Sequence, residues 1–342
     1  MAKHTSAQIA DAFSEITSKF FDYRLFGGVI LQGDVDRLLG PVSTQGPWRS
    51  IDPVVIDQST ITRMYVQKAG SEGDRNVTMG QQYLVRYAMF RGGIDFYPVH
   101  ARKTKPTAAD LRLLVEALCR CWTTTDPTSQ RKMHLRELTA IIHCRSIDDG
   151  GVGWRTVDRA AVVTPLGRVA ESPSDYEVVS KLTPEDEKIV RVFRFTETSS
   201  NAELDAFEAA LTSSPAALDP YAKLPAISFV VHVECSNSNP NGDPDNENKP
   251  RHIIRNGIDV YAEMTNVCVN RKIKNYLVQM HSTVIAGMPL AVLDVEMAAA
   301  GPTMSAFAKE KADAAAEKAK KAKGKKRAAD AGDGDDETAA SE

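Results

Sequence analysis

Hydrophobic residues along the chain recur with two periods, and the switches between them mark out its elements. Across residues 6–21, Ile9, Phe13, Ile16 and Phe20 return every three or four positions. That is the spacing of one helix face, and Ser6 is placed to cap its start. Residues 23–31 are apolar up to a Gly27-Gly28 break, and a short segment follows at 34–39. Residues 40–62 are less regular, and Pro47 and Pro53 argue against a central strand there. Residues 51–61 and 61–66 are expected to form the arms of a protruding hairpin, followed by a Gly- and charge-rich exposed loop over 71–79.

Between residues 81 and 99 the period drops to two. Tyr83, Val85, Tyr87 and Met89 alternate with Leu84, Arg86, Ala88 and Phe90, and Arg91-Gly92-Gly93 is expected to interrupt the strand. A strand surface carrying both aromatic residues and arginines is either a base-stacking surface or a half-buried face with solvated arginines. Helical spacing returns at Leu111, Leu114, Val115 and Leu118, with Thr107 and Asp110 forming a capping box at the helix start. Leu138, Ala140 and Ile142 place a strand over 135–145. Residues 147–214 carry little pattern beyond a strand at 188–195 and a helix at 202–211, and 215–225 reads as a linker. An apolar run at 227–235 then opens a strand, a polar segment follows to Arg251, and residues 264–276 read as a basic helix. One more apolar segment spans 284–295. From residue 304 the periodicity is lost: a basic block (Lys318, Lys320, Lys321, Lys323, Lys325, Lys326, Arg327) gives way to an acidic one over 330–342, the composition of a frayed, disordered tail.

Composition narrows the function classes. The chain of 342 residues is 42% hydrophobic and 25% charged, enough for a sizeable core. Its net charge of −3 means that any nucleic-acid binding requires a local basic face. The five cysteines are few and odd in number, and Cys119 and Cys121 point to different sides of a helix, so reduced thiols are expected and no metal site. No apolar run reaches the ~20 residues of a membrane span, and residues 1–20 mix charge with apolar positions. A soluble cytoplasmic protein without cofactor and without membrane contact is the expectation.

The candidate chemistry lies in residues 227–276. Asn237, Asn239, Asn241 and Gly242 fit the opening of a calcium loop, but the twelfth position is Asn248 where a bidentate Glu is needed, and Pro240 and Pro244 fall inside. Asp243 and Asp245, with Asp52, would serve a metal-dependent nuclease if they converged. A third reading is a loop tracking a sugar–phosphate backbone. The Asn side chains and the exposed N–H groups around Gly242 would offer donors, and the following helix would add Arg271, Lys272 and Lys274, with 271 and 274 on one face and Val267, Ile273, Tyr276 and Leu277 on the apolar side.

The segment Ser238-Asn-Pro-Asn-Gly-Asp-Pro-Asp-Asn-Glu-Asn-Lys-Pro-Arg251, followed by Thr265-Asn-Val-Cys-Val-Asn-Arg-Lys-Ile-Lys-Asn-Tyr276, closely resembles the start of the backbone subunit of the CRISPR Cascade complex, the seventh Cas family, of the subtype I-C and I-B kind. Arg49-Ser-Ile-Asp-Pro53, Ser59-Thr-Ile-Thr-Arg-Met64 and Met79-Gly80 resemble that family's middle. Val85-Arg-Tyr-Ala-Met-Phe-Arg91, the helix at 108–118 and the strand at 135–145 resemble its end. The order is displaced, so the resemblance implies a circular permutation. It implies an α+β fold, with an RRM/ferredoxin-like core of antiparallel sheet and two helices, an inserted hairpin and an added subdomain. Residues 1–146 would supply the later half of the core with the hairpin at about 46–80, residues 147–225 a connecting subdomain, residues 226–303 the first strand, loop and helix, and residues 304–342 the tail. The partners implied are CRISPR guide RNA, target DNA through the guide, further copies of the chain in a helical filament and other Cascade subunits. The RNA-binding residues implied are Asn239, Asn241, Gly242, Arg271, Lys272, Lys274, Arg49, Ser50, Arg63, Met64, Arg86 and Arg91, with Met64 or Ile61 wedging at a displaced base. No catalytic residue is implied. The alternative is a backbone subunit that cleaves RNA through a metal.

Overall fold

The computed structural model describes residues 6–30, 36–64, 77–124, 133–144, 157, 162–165, 170–213 and 224–285. The expectations for the linker before residue 224, for most of 284–295 and for the charged tail fall outside these. Two helices open the chain, α1 (Ser6–Lys19) and α2 (Phe21–Phe26), followed by a small hairpin of β1 (Gly27–Ile30) and β2 (Asp36–Leu39). Short strands β3 (Val42–Thr44) and β4 (Trp48–Ser50) lead to β5 (Ile56–Met64) and the long β6 (Val77–Phe96). Helices α3 (Pro98–Thr104) and α4 (Ala108–Thr124) come next, then β7 (Met133–His143), β8 (Val162–Pro165) and β9 (Tyr176–Val179). After α5 (Pro184–Ile189), β10 (Val190–Phe195) and α6 (Asn201–Ser213) comes β11 (Ile227–Ser238). The chain continues through β12 (Gly242–Asp243), β13 (Lys249–Pro250), β14 (His252–Arg255) and β15 (Asp259–Met264) into α7 (Asn266–His281). The fold is α+β.

One nine-stranded sheet organises these elements, in the order β10-β7-β11-β6-β4-β15-β14, with β3 and β5 also pairing with β6. All its pairings are antiparallel. Strand β11 lies between β6 and β7, from Ile227 opposite Ile142 to Cys235 opposite Met133. This late segment therefore pairs beside the strand expected at 135–145, within the chain's own sheet. β11 can hold this central place because residues 227–235 are buried without a break, the pattern of a strand covered on both faces.

On one face, Phe229, Val231, Val233 and Cys235 join Phe90, Ile94, Phe96 and Leu138 in a core closed by helices α4, α6 and α7. Phe207 of α6 sits 5.9 Å from Phe195 and 6.4 Å from Phe229, and Trp48 lies 5.5 Å from Trp122 of α4. Thr107 and Asp110 cap α4 as expected, and Asp110 also takes a two-pronged bond from Arg24. The buried Glu116 of α4 accepts from the Tyr276 hydroxyl (3.1 Å) and lies 3.0 Å from His281, tying α4 to α7.

Two expectations are corrected. The hairpin arms are β5 and the first part of β6, with Ile56 opposite Val85 and Met64 opposite Val77, so residues 77–79 are strand and no turn falls at Ile61. The expected turn near Ile61 would have broken the Ser59-Thr-Ile-Thr-Arg run, which is β-branched and polar in alternation and extends readily. Arg91-Gly92-Gly93 does not interrupt β6. Gly92 is glycine because the Trp48 ring lies flat on it, in the space a Cβ would take. Of the two readings of this strand surface, the half-buried face with exposed arginines holds, and Tyr87 and Met89 do not form an open stacking surface. They are buried beneath Ala170 and Tyr176, with Ile51 and Val163 packed alongside. A second apolar seal joins Ile141, Val190 and Val230 to Val157 and Leu182. Val157, Val163, Ala170, Tyr176 and Leu182 come from a stretch with too little periodicity to announce that they cover the sheet. No helix of the described residues is long and apolar enough to cross a membrane.

Candidate nucleic-acid interface

The loop after β11 is held by its own backbone and amides. The Asn239 amide donates to the Asn248 carbonyl (2.6 Å), the Arg251 N–H to the Asn241 carbonyl (2.9 Å) and the Asn248 N–H to the Asp243 carbonyl (2.9 Å). The Cys268 thiol reaches the Pro240 carbonyl at 3.2 Å, so the loop is tied to the start of α7. Asn237, Glu247 and Asn248 adopt positive φ, which Asn tolerates better than most residues. At Gly242 a Cβ would come within 3.2 Å of the Asn248 carbonyl, so a side chain would push the two arms apart. This rigidity leaves Asn239 Oδ1 and Asn241 Nδ2 buried without a hydrogen-bond partner among the described residues, and Asn266 and Asn270 of α7 each carry a similar orphan oxygen. Such groups cost about 1–3 kcal/mol each until something bonds to them.

Helix α7 separates the three predicted cations. Thr265 caps it by accepting from the Cys268 N–H at 3.3 Å. Arg271 is exposed. Lys272 is only 5% exposed, because Val269, Lys272, Ile273 and Tyr276 fall at i, i+3, i+4 and i+7 and all turn inward. Lys274 pairs at 2.7 Å with the buried Asp22 of α2. Val267, expected on the apolar side, is 77% exposed instead, two positions ahead of the buried stripe.

Strands β4 and β6 bring two further predicted residues together. Arg49 sits opposite Arg91, and Arg91 sits opposite His232 of β11, so the three share one row of the sheet. Arg49 bonds Glu263 at 2.7 Å and its side chain is 44% exposed, and Arg91 is also exposed. Burial, with the Arg91 charge adding to it, pushes the His232 imidazole down to about 3. Ser50 is buried, and its hydroxyl donates to the Asp52 carbonyl (2.9 Å) while accepting from the Ala262 N–H (3.1 Å), which is a structural use. Arg86 makes a two-pronged bond to Asp57 at 3.0 Å across the hairpin and so braces it. Arg63, Met64 and Ile61 lie on β5, but their side chains are outside the described residues.

The carboxylates of the metal reading are engaged elsewhere. Asp52 is buried and accepts from the Tyr176 hydroxyl (2.5 Å) and the Ala170 N–H (3.1 Å). Asp243 accepts from Arg251 (3.2 Å), and Asp245 is exposed beside it. Among the described residues, no group of three or more His, Cys, Asp or Glu side chains is placed to hold a metal ion. A signal that sequence reasoning passed over is Asn266 and Asn270, one turn apart on a helix already suspected of binding phosphate.

A family model described as "CRISPR-associated protein Cas7" matches residues 2–181 and 226–340. The matched residues include the strand, Asn-Gly loop and helix of 227–281, the hairpin and the covering segment up to residue 181. No curated protein matches the chain.

Proposed function

The chain belongs to the Cas7 family of CRISPR-associated proteins, the backbone subunits of CRISPR effector complexes, and from that premise we propose that it binds CRISPR guide RNA without cleaving it. In this reading several copies line the guide in the cytoplasm, together with other Cascade subunits, and present its bases for pairing with target DNA. The observation that carries it is the β11–loop–α7 unit: a rigid loop whose Asn239 Oδ1 and Asn241 Nδ2 have no bond among the described residues, tied through Cys268 to the helix that carries the exposed Arg271. Arg49 and Arg91 supply a second cationic row. These groups suit backbone contacts that ignore base identity, with sequence left to Watson–Crick pairing. Since Tyr87 and Met89 are covered, the bases are handled by the hairpin and not by stacking on the sheet. The place of β11 between β6 and β7 supports a circular permutation of an RRM-like βαββαβ unit that starts at β11. The test is to titrate the chain onto a guide-length single strand and count bound copies by native mass spectrometry. Stepwise loading of several copies is expected, and saturation at one copy would overturn the filament.

A further inference from the structure

Between Ser50, where β4 ends, and Ile56, where β5 begins, the chain turns out of the sheet and into the hairpin. This elbow is fastened on three sides. The Ile51 N–H donates to the Met89 carbonyl (2.8 Å) and the Arg86 N–H to the Val55 carbonyl (3.0 Å), both on β6. The Val54 N–H donates to the Val260 carbonyl (2.7 Å), and the Ala262 N–H to the Ser50 hydroxyl (3.1 Å), both on β15. The third side is the Asp52 carboxylate, 5% exposed, which takes the Tyr176 hydroxyl and the Ala170 N–H from the segment covering the sheet. Both donors are neutral. A carboxylate buried against neutral donors is a costly way to fill space, since an apolar side chain would pack there without losing hydration. What the carboxylate adds is direction: two bonds at fixed angles, made only when the elbow and the cover stand in one relation. The Tyr176 ring is itself seated against Tyr87 of β6, with ring centroids 6.3 Å apart, so the donor takes its place from the sheet.

We propose that Asp52 and Tyr176 form the joint that sets the direction in which the β5–β6 hairpin leaves the core. Asp52 is thereby a positioning residue, and its importance for assembly rests on reading the hairpin as the element that acts on the guide RNA. Thr62 stands six residues beyond Ile56, or about 20 Å along a strand, so a tilt of about 10° there moves the position by about 3.5 Å. The experiment places spin-labelled amino acids at Thr62 on the hairpin and at the exposed Ala206 of α6 and reads their distance distribution by pulsed electron resonance. Tyr176→Phe, which removes only the hydroxyl, and Asp52→Asn, which removes the charge, are compared with the parent. A distribution broadened or displaced by several ångströms in both, with cooperative melting kept, is the expected result. If Asp52→Asn does not fold, Tyr176→Phe decides alone. An unchanged distribution in a folded Tyr176→Phe overturns the joint. The distance is read without RNA, so this outcome is independent of whether the chain binds a guide. On guide RNA, the same variants should load fewer copies while the affinity of a single copy for a short strand is kept.

Discussion

Arg271 and Lys272 are neighbours of the same charge type, and the structure gives them opposite work. Arg271→Ala removes an exposed cation on α7, three residues beyond the Cys268 that bonds the loop. If it holds one phosphate, the slope of log affinity against log salt falls by about 0.7, the single-strand value per contact. The melting temperature should not move, since exposed substitutions stay within about ±0.5 kcal/mol. Lys272→Ala deletes three methylenes from a side chain that is 5% exposed. At about 0.8 kcal/mol per buried methylene this costs about 2 kcal/mol, or about 4–8 °C in melting temperature. Lys272→Met keeps the packing and drops only the charge, so it should restore most of that stability. The assay pairs thermal unfolding with fluorescence anisotropy of a labelled single strand from 50 to 300 mM salt, a window chosen around one Debye length of about 10 Å. The reasoning is refuted if Lys272→Met lowers the salt slope while Arg271→Ala leaves it unchanged.

Other consequences are as direct. Gly92→Ala drives a Cβ into the Trp48 ring; a loss of at least 1–3 kcal/mol is expected, seen as a lower urea midpoint, and an unchanged midpoint would show that the tryptophan has room to move. His232 is held neutral down to about 3 while an unfolded His takes its proton near 6.5. Stability is therefore unaffected by this group above that value and falls as the pH drops from about 6.5 toward 3, by about 1.4 kcal/mol per pH unit. His143, also lowered by burial, acts in the same sense. Chemical unfolding at pH 7 and pH 5 should show the His232→Leu variant losing about one proton less of acid dependence than the parent; equal dependence would contradict it. Assembled particles given complementary RNA and magnesium should leave it intact, and cleavage abolished by Asp243→Ala would establish the enzymatic alternative.

Much of the architecture could be read from the chain because it rests on local periodicity. The stripe Leu111, Leu114, Val115 and Leu118 with its Thr107–Asp110 box is α4, and the mainly apolar run at 227–235 is a strand covered on both faces. The site was legible as a place and less so as a set of contacts. Lys272 carries a charge that suggests surface, while its spacing from Val269, Ile273 and Tyr276 sets it inward. Lys274 and Arg86 are drawn off by Asp22 and Asp57, partners 252 and 29 residues away, and no window of sequence shows such a pairing. The covering of Tyr87 and Met89 was hidden for the same reason: Tyr176 comes from a segment with weak periodicity and reaches them only through the tertiary fold.

The claim at the centre is that this chain carries guide RNA. It is tested most directly by purifying the protein with the products of its neighbouring genes and sequencing the RNA that stays with it through high salt. The account predicts short RNAs of uniform length that join repeat to spacer sequence, present on the parent and depleted on a variant with Arg49, Arg91 and Arg271 changed to Ala. A particle that holds no RNA, or RNA of random length and origin equally abundant on both proteins, would contradict it.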